Sequence, residues 1–150
     1  MNDLKFRGCQ ACYYCKKNDV MVCAVQDDMQ KIYHLMQESA GLIVATPIYF
    51  GGVTAQTKTW LDRLFPYIGM NLSPKLPKSK KVSFIFTQKQ PDVHLFEKSL
   101  TQFMHMVALT GFSLKDYLIA YDLDAGVNQC VTGKKEFMEK AYRIGKDLLT

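Results

Sequence analysis

Long hydrophobic runs are absent from this sequence. The longest spans about five residues, around Leu42–Ala45, whereas a membrane-spanning helix needs about 20. The first twenty residues hold charges and cysteines where a secretory signal would have an apolar core. We therefore expect a cytoplasmic protein without a membrane partner.

Motifs of several enzyme classes are lacking as well. There is no Ser-His-Asp arrangement, no HExxH pair and no Walker-type phosphate loop, which argues against hydrolase and kinase functions. No repeat, low-complexity tract or Pro/Gly/Ser-rich linker divides the chain, so we expect residues 1–150 to form one domain. A hydrophobic content of 48% suffices for a buried core and is too high for a disordered chain.

The charge is moderately basic. The net charge is +5, from 19 Lys and Arg against 14 Asp and Glu. Part of the excess lies in one proline-broken stretch that holds Lys75, Lys78, Lys80 and Lys81. Such a stretch suits phosphate groups, although most charge runs are solvated loops. No aromatic residues are interleaved with these lysines, so we do not expect nucleic acid as a partner.

The hydrophobic pattern alternates between helix and strand. It predicts buried strands at Leu42–Thr46, Val82–Gln88 and Tyr117–Tyr121, with amphipathic helices before and after each. This order is typical of an α/β domain with a parallel sheet and right-handed crossovers. Three strands are few and leave an apolar edge open, so we expect further strands to be missing or supplied by a partner subunit.

Capping residues mark the ends of these helices. Asp27 with Gln30 forms a capping-box pattern, and Thr54 is suited to begin the helix that follows the first strand. Gly111 is placed to end a later helix. Asp62 and Arg63 lie on the helix that begins at Thr54, and we expect them to pair with neighbours and orient the structure.

Four of the five cysteines crowd into fifteen residues, with the spacing Cys9-x2-Cys12-x2-Cys15-x7-Cys23. Disulfides are not expected without an export signal. Two-residue gaps let thiolates converge on one centre, and four soft thiolates suit a [4Fe–4S] cluster or zinc. Structural zinc more often uses two well-separated pairs. Free or redox-active thiols are the third alternative. Cys130 stands apart, and we expect it to be a small buried hydrophobe.

An aromatic and glycine-rich segment follows the first predicted strand. Tyr49-Phe50-Gly51-Gly52 offers a flat apolar surface and a backbone that a ligand can approach closely. Ligands of open α/β sheets bind at the carboxyl ends of strands, and amide donors at the following helix start favour electron-rich groups. A planar redox ring fits this combination. The alternative is a hydrophobic turn packed on the domain's own core.

The other two strands end in polar segments. These are Thr87–Asp92 and Asp122–Gly126. Because parallel strands point the same way, we expect both segments to lie on the same rim as the aromatic segment.

Taken together, these motifs resemble the NAD(P)H-dependent FMN reductase and iron–sulfur flavoprotein family. The resemblance covers about residues 9–65 and rests on the cysteine spacing, Asp27-Asp28, the run Gly41–Gln56, Lys58 and Asp62-Arg63. It implies a flavodoxin-like three-layer α/β/α fold and an FMN reductase-like oxidoreductase. It also implies two-electron transfer from NAD(P)H through FMN to an unknown acceptor, by a homo-oligomer (dimer or tetramer).

The resemblance also implies the site residues. Those expected against the isoalloxazine ring are Pro47, Ile48, Tyr49, Phe50, Gly51 and Gly52, and those matching a second flavin-side loop are Thr87 and Gln88. In the iron–sulfur branch a [4Fe–4S] cluster exchanges electrons with flavin across a subunit contact, and its ligands here would be Cys9, Cys12, Cys15 and Cys23. No side chain is expected to act as an acid or base, because the cofactor carries the chemistry.

The family's opening segment has no match before Cys9. That segment is a strand, a Gly-Ser-Pro-Arg-like phosphate loop, a helix and a second strand, and in the order 2-1-3-4-5 it contains the central strand. We expect an N-terminally shortened member or a sheet completed by a second subunit. The alternative functions are an iron–sulfur electron carrier and a non-catalytic shortened flavodoxin-like protein.

Overall fold

The computed structural model describes residues 1–124 and 130–150. No helix in this part of the chain is long and apolar enough to cross a membrane. Two single 3-10 turns, Phe65–Tyr67 and Val131–Gly133, accompany the helices and strands. In chain order these elements are α1 (Tyr14–Lys17), α2 (Met29–Glu38), β1 (Gly41–Tyr49), β2 (Gly52–Val53), α3 (Ala55–Asp62), β3 (Lys81–Thr87), α4 (Glu97–Ala108), β4 (Ser113–Ala120) and α5 (Lys135–Lys146).

The described strands form one sheet in the order β2-β1-β3-β4. β1, β3 and β4 are parallel, which confirms the predicted α/β fold. Two details differ from the prediction. The short strand β2 pairs antiparallel with the end of β1, and β4 begins at Ser113 instead of Tyr117. The start of β4 was missed because its residues Leu114 and Lys115 are exposed and carry no buried apolar pattern.

Helices cover both faces of the sheet, as a three-layer fold requires. The larger core joins α2, α3 and α4 to the face that carries Phe84 and Phe86, and Phe103 of α4 makes edge contacts with both rings. The smaller core joins α5 to the opposite face through Phe137 and Leu118. Since Ile85 belongs to the smaller core, β3 alternates its side chains between the two faces and is buried on both.

One lysine of the basic stretch is structural, which corrects the interpretation of that stretch as a solvated loop. Lys80 is only 9% exposed, and its Nζ donates to the carbonyls of Gln37 (2.8 Å) and Ser39 (2.5 Å). These carbonyls lie at the end of α2, where a cation is favoured by the helix dipole. Lys75 pairs with Asp19 at 2.5 Å. The stretch therefore ties the loop before β3 to α2 and to the cysteine segment.

The helix ends follow the capping predictions in part. Thr54 begins α3, and its hydroxyl accepts the backbone N–H of Thr57 at 3.3 Å. Gly111 lies in the turn after α4 with a φ of +117°, where a Cβ would stand 2.2 Å from the carbonyl oxygen of Leu76. The capping box of Asp27 and Gln30 is confirmed for Asp27 alone, because its Oδ1 accepts the Met29 N–H at 3.1 Å, whereas the Gln30 side chain donates to carbonyls outside α2.

Candidate functional site

The carboxyl ends of the three parallel strands lie at one edge of the sheet. Thr87 of β3 stands opposite Pro47 of β1 on one side and opposite Ala120 of β4 on the other. The chain after β3 stays joined to the chain after β4, since Gln88 N–H donates to the Ala120 carbonyl at 2.9 Å. The predicted rim therefore exists. Its expected residues 125 and 126 lie outside the described residues.

The aromatic segment is a β-hairpin turn and not an open loop. Tyr49 of β1 pairs with Gly52 of β2, and the turn between them consists of Phe50 and Gly51. Both turn residues have positive φ, 49° at Phe50 and 78° at Gly51. Two consecutive positive φ values are typical of a type I′ turn, which glycine enters freely and phenylalanine does not. The turn therefore holds the phenylalanine in an unfavourable backbone conformation.

The side chains at this turn project into solvent. Phe50 is fully exposed and Tyr49 is 64% exposed, so neither packs on the domain's own core. A Cβ added at Gly52 would meet no atom within 4 Å, which leaves open space beside the backbone. Ser99 of α4 donates to the Gly51 carbonyl at 2.5 Å and fixes the turn against that helix. The hairpin is thus a rigid support for an exposed aromatic pair.

Below the turn, three threonines hold the strand end to the start of α3. The Thr54 N–H donates to Thr46 Oγ1 at 3.4 Å, and the hydroxyls of Thr54 and Thr57 lie 3.0 Å apart. All three side chains are buried. Pro47 and Ile48 lie half-buried in the strand between this network and the turn. The predicted flavin-side residues of this segment therefore follow one another along a strand end and turn that the threonine network supports.

The second predicted flavin-side loop presents an unsatisfied acceptor. Gln88 is 4% exposed, and its Nε2 donates to the carbonyls of Gln90 (3.0 Å) and Asp92 (2.7 Å). Its Oε1 has no hydrogen-bond partner among the described residues. Thr87, the residue before it, is half-buried. A buried acceptor without a donor is rare in native structures, which makes this strand end a candidate contact for a ligand N–H.

The four clustered cysteines line one small cavity of about 10 Å³. Cys9 and Cys12 are exposed, Cys23 is half-buried, and Cys15 on α1 is buried. Within residues 1–124 and 130–150, no three Cys, His, Asp or Glu side chains are arranged as ligands around one point. The donor set is nevertheless four soft thiols on a shared cavity, which suits a [4Fe–4S] cluster in chemistry. Because the cavity has room for about one water molecule, the segment that carries the exposed Cys9 and Cys12 must move outward to admit the cluster.

The thiols of the cavity and the fifth cysteine have different surroundings. Burial raises the pKa of Cys15, an effect that the adjacent ammonium of Lys16 opposes. Cys130 is half-buried, which corrects its assignment as a buried hydrophobe. The hydroxyl of Thr132 donates to Cys130 Sγ at 3.3 Å and lowers the pKa of that thiol.

The cysteine segment is tied to the end of α3 and to α2 by two side chains. Lys16 donates its ammonium to the carbonyls of Phe65 and Ile68 and lies 3.8 Å above the ring of Phe65. Gln30 of α2 donates from Nε2 to the carbonyls of Cys23 (2.8 Å) and Val25 (2.7 Å). The cysteine loop is therefore held by its own Lys16 near the middle and by Gln30 of α2 at its C-terminal end.

A buried ion pair completes this attachment. The Arg63 side chain is fully buried and the Asp27 side chain is 12% exposed. Arg63 Nη1 and Nη2 donate to the two Asp27 oxygens at 2.7 and 3.1 Å, and Nη1 also donates to the Arg7 carbonyl at 2.8 Å. Such a two-pronged geometry is among the strongest hydrogen-bonded pairs in proteins. It joins the chain on both sides of the cysteines to α3.

The ion pair governs the ionisation of its carboxylate. Burial disfavours the charged form of Asp27, but the hydrogen bonds from Arg63 and from the Arg7 and Met29 N–H groups outweigh it and hold the pKa of Asp27 below its ordinary 3.8. Asp62 instead pairs with Lys58 at 2.5 Å in a partly exposed position. Arg63 and Asp62 thus have the pairing roles that the sequence indicated.

Sequence reasoning missed several residues that build the cysteine site. Asp27 was assigned to a helix cap, and neither Lys16 nor Gln30 was assigned to the site. One signal was available for Arg63. It stands three residues after Trp60 and one before Leu64, on the buried stripe of α3, where a charge requires a buried counter-charge.

The two candidate sites lie at opposite ends of α3. The hairpin precedes its first residue, and the cysteine cavity borders Asp62 and Arg63 at its end. Eight helical residues at 1.5 Å each separate them by about 12 Å along the helix axis. A larger, mostly apolar cavity of about 460 Å³ lies between the cysteine loop, α3 and α4, and Cys9 lines both cavities.

Several solved structures share this architecture. The Trp repressor binding protein from Bacillus subtilis superposes with a TM-score of 0.64 at 23% identity, over 84% of this chain and 73% of that one. An NAD(P)H:quinone oxidoreductase from Methanothermobacter marburgensis superposes with a TM-score of 0.61 at 15% identity, over 95% of this chain and 73% of that one. These similarities confirm the flavodoxin-like fold.

Sequence comparison finds similar proteins and a family. An iron-sulfur flavoprotein of Archaeoglobus fulgidus is 42% identical over 59 residues, which are 39% of this chain and 29% of that protein. An iron-sulfur flavoprotein of Methanocaldococcus jannaschii is 39% identical over 75 residues, which are 49% of this chain and 38% of that protein. The chain therefore spans well under half of these relatives. A model described as NADPH-dependent FMN reductase matches residues 1–117. The chain belongs to the NADPH-dependent FMN reductase family.

Proposed function

We propose that this protein is an FMN-dependent oxidoreductase that passes electrons from NAD(P)H through flavin to an acceptor. The family implies FMN as the cofactor. The observation that carries the proposal is the exposed aromatic hairpin turn at the carboxyl end of β1, the position at which flavodoxin-like sheets bind ligands. FMN supplies the acceptance and release of electrons when bound, and the chain supplies position and electrostatics.

Different residues of the chain would contact different parts of the flavin ring. Tyr49 and Phe50 offer exposed rings for stacking, while Gly51 and Gly52 let the backbone approach closely. The unpaired Oε1 of Gln88 lies at the same sheet edge and would accept a ring N–H after a shift of the loop that covers it. Since the threonine network and Ser99 already fix the hairpin, little ordering is needed when a ligand binds.

Replacing Phe50 by alanine is expected to weaken FMN binding about 5- to 150-fold, the value of losing 1–3 kcal/mol of stacking on a heterocycle. Because Phe50 is fully exposed, the thermal stability of the ligand-free protein should not fall. The measurement is FMN affinity by fluorescence titration, followed by anaerobic addition of NADPH or NADH to the loaded protein while the flavin absorbance is recorded.

A Tyr142→Ala variant is the control for the Phe50 experiment, because Tyr142 is a 72% exposed tyrosine on α5. It should bind FMN as the wild type does. Wild-type protein that stays colourless after incubation with FMN and washing would contradict the proposal. So would equal FMN affinity in wild type and Phe50→Ala.

We further propose that Cys9, Cys12, Cys15 and Cys23 hold a [4Fe–4S] cluster that exchanges electrons with the flavin. The shared cavity and the names of the similar iron-sulfur flavoproteins support this proposal. All five cysteines are unpaired, which suits a reducing, cytoplasmic setting.

An iron–sulfur electron carrier without flavin is the second candidate function, because the cysteine site is built independently of the hairpin. Iron and sulfide in a protein that never binds FMN would favour it.

We also propose that the protein forms a homo-oligomer through the open edge of β1. Residues 41–47 of β1 pair with β3 on one side, and no described strand lies on the other. Ile43 on this strand is 37% exposed, and an unpaired apolar edge favours association. Sedimentation velocity should give a mass of at least twice 17.2 kDa, and Ile43→Lys should shift the protein towards the monomer.

Leu35→Lys is the control for the edge variant. Leu35 is 64% exposed on α2, and its replacement adds the same charge outside the strand. It should leave the mass unchanged. A wild-type protein that sediments as a monomer at micromolar concentration would remove the oligomer proposal and leave the flavin proposal standing.

A further inference from the structure

One polar atom of Arg63 is left without a partner by the fold. The side chain is fully buried, and its Nη1 and Nη2 donate to Asp27, Arg7 and Val25. Its Nε is buried and makes no hydrogen bond of normal geometry among the described residues, since the nearby Tyr33 hydroxyl is directed at the Arg63 carbonyl. A buried N–H on a cation is costly to leave unpaired, so this atom calls for an acceptor.

The same side chain lines the four-cysteine cavity. Asp62 and Arg63 are the charged residues among those that line it, and the lysine at position 16 is engaged by carbonyls elsewhere. Four thiolates gathered on iron carry net negative charge and accept hydrogen bonds, while the charge of Arg63 is already paired with Asp27, so what Arg63 still offers to this cavity is the N–H donor at Nε. The position of Arg63 in the cavity wall, its burial and its unpaired Nε–H therefore all indicate an acceptor inside the four-cysteine cavity.

We propose that Arg63 Nε–H donates a hydrogen bond to a sulfur of the cluster, either a cysteine thiolate or an inorganic sulfide. This inference rests on the proposed [4Fe–4S] site. Hydrogen bonds to cluster sulfurs stabilise the more negative, reduced state and raise the reduction potential. Arg63 would thus hold the cysteine loop through Asp27 and tune the group within it through Nε.

The test begins with wild-type protein reconstituted anaerobically and assayed for iron and sulfide. The protein is prepared with arginine that carries ¹⁵N only at Nε, and the reduced cluster is examined by pulsed EPR. The chain has three arginines, and Arg7 stands two residues before Cys9, so an Arg7→Lys sample, which should keep the coupling, is needed to assign it to Arg63. We expect a weak coupling that is absent in Arg63→Lys.

The reduction potential gives the second readout. Arg63→Lys keeps the positive charge but lacks Nε, and we expect its equilibrium constant for reduction to fall about ten-fold, which is 59 mV for one electron. Asp62→Asn is the matched control. It removes a negative charge from the same wall and leaves Nε in place, so its potential should rise or stay unchanged.

The outcomes separate a failure of the proposed cluster from a failure of the proposed Arg63 hydrogen bond. Wild type without iron and sulfide overturns the proposed cluster and this inference with it. Loaded wild type without a ¹⁵N coupling, or an Arg63→Lys cluster with the wild-type potential, overturns this inference alone. If Arg63→Lys does not fold, the ¹⁵N measurements on wild type and Arg7→Lys decide, because a coupling present in both belongs to Arg63.

Discussion

Replacing Cys12 by alanine is expected to remove nearly all iron and sulfide from anaerobically purified protein. The wild type should hold about four of each per chain, and the variant less than about one, because a [4Fe–4S] cluster needs four thiolates. Cys12 is exposed, so its loss leaves no cavity in the core and the fold should be unchanged. Iron and acid-labile sulfide assays, with the visible absorption spectrum, measure the effect.

Cys130→Ala is the matched control, because Cys130 is the cysteine outside the cluster spacing. It should keep full iron and sulfide. Zinc in place of iron in the wild type would favour the zinc alternative. Neither metal in the wild type would leave the four cysteines as free thiols and remove the cluster from the proposed function.

Replacing Asp27 by alanine is expected to lower the free energy of unfolding by about 3–5 kcal/mol near neutral pH, because it leaves the buried Arg63 guanidinium uncompensated. Urea denaturation followed by circular dichroism measures the loss. Asp62→Ala is the control at the neighbouring ion pair. Since that pair is partly exposed, its loss should cost about 1 kcal/mol or less.

The stability difference between wild type and Asp27→Ala should depend on pH. The pKa of Asp27 in the folded protein lies below its ordinary 3.8, so the carboxylate stabilises the fold fully above that value. As the pH falls through the lowered pKa, the carboxyl becomes protonated and the advantage of the wild type shrinks. A difference that stays constant down to pH 2, or that grows on acidification, would show that the ion pair is not its source.

The predicted strands and helices were found because their patterns are local. Leu42–Thr46 and Val82–Gln88 are apolar runs whose place in a parallel sheet follows from composition. The expected burial on both faces is wrong for the first of them, because Ile43 and Ala45 are exposed on the side where β1 has no neighbouring layer. The hairpin at Tyr49–Gly52 was not predicted as a strand pair, since β2 has only two residues and no hydrophobic pattern. The positions of the aromatic residues were nevertheless correctly assigned to the carboxyl end of the first strand.

The attachment of the cysteine loop was beyond sequence reasoning for a different reason. Asp27 had a plausible local role as a helix cap, and its partner Arg63 is 36 residues away. Lys80 was interpreted as part of a solvated charge run, while its partners Gln37 and Ser39 lie more than 40 residues earlier. Which residues meet over such distances in sequence depends on how the helices and strands pack. The spacing of residue types along the chain does not contain this information.

By itself, the sequence determined the fold class, the order of the elements and the residue types offered at each candidate site, because hydrophobic period, caps and cysteine spacing act over a few neighbouring residues. Only the tertiary structure decided which faces of those elements meet. It brought four cysteines and Arg63 to one cavity and left the Nε of that arginine without a partner among the described residues. It also exposed Phe50 and Tyr49 instead of burying them, since strand pairing and the contact with Ser99 set the direction of the turn.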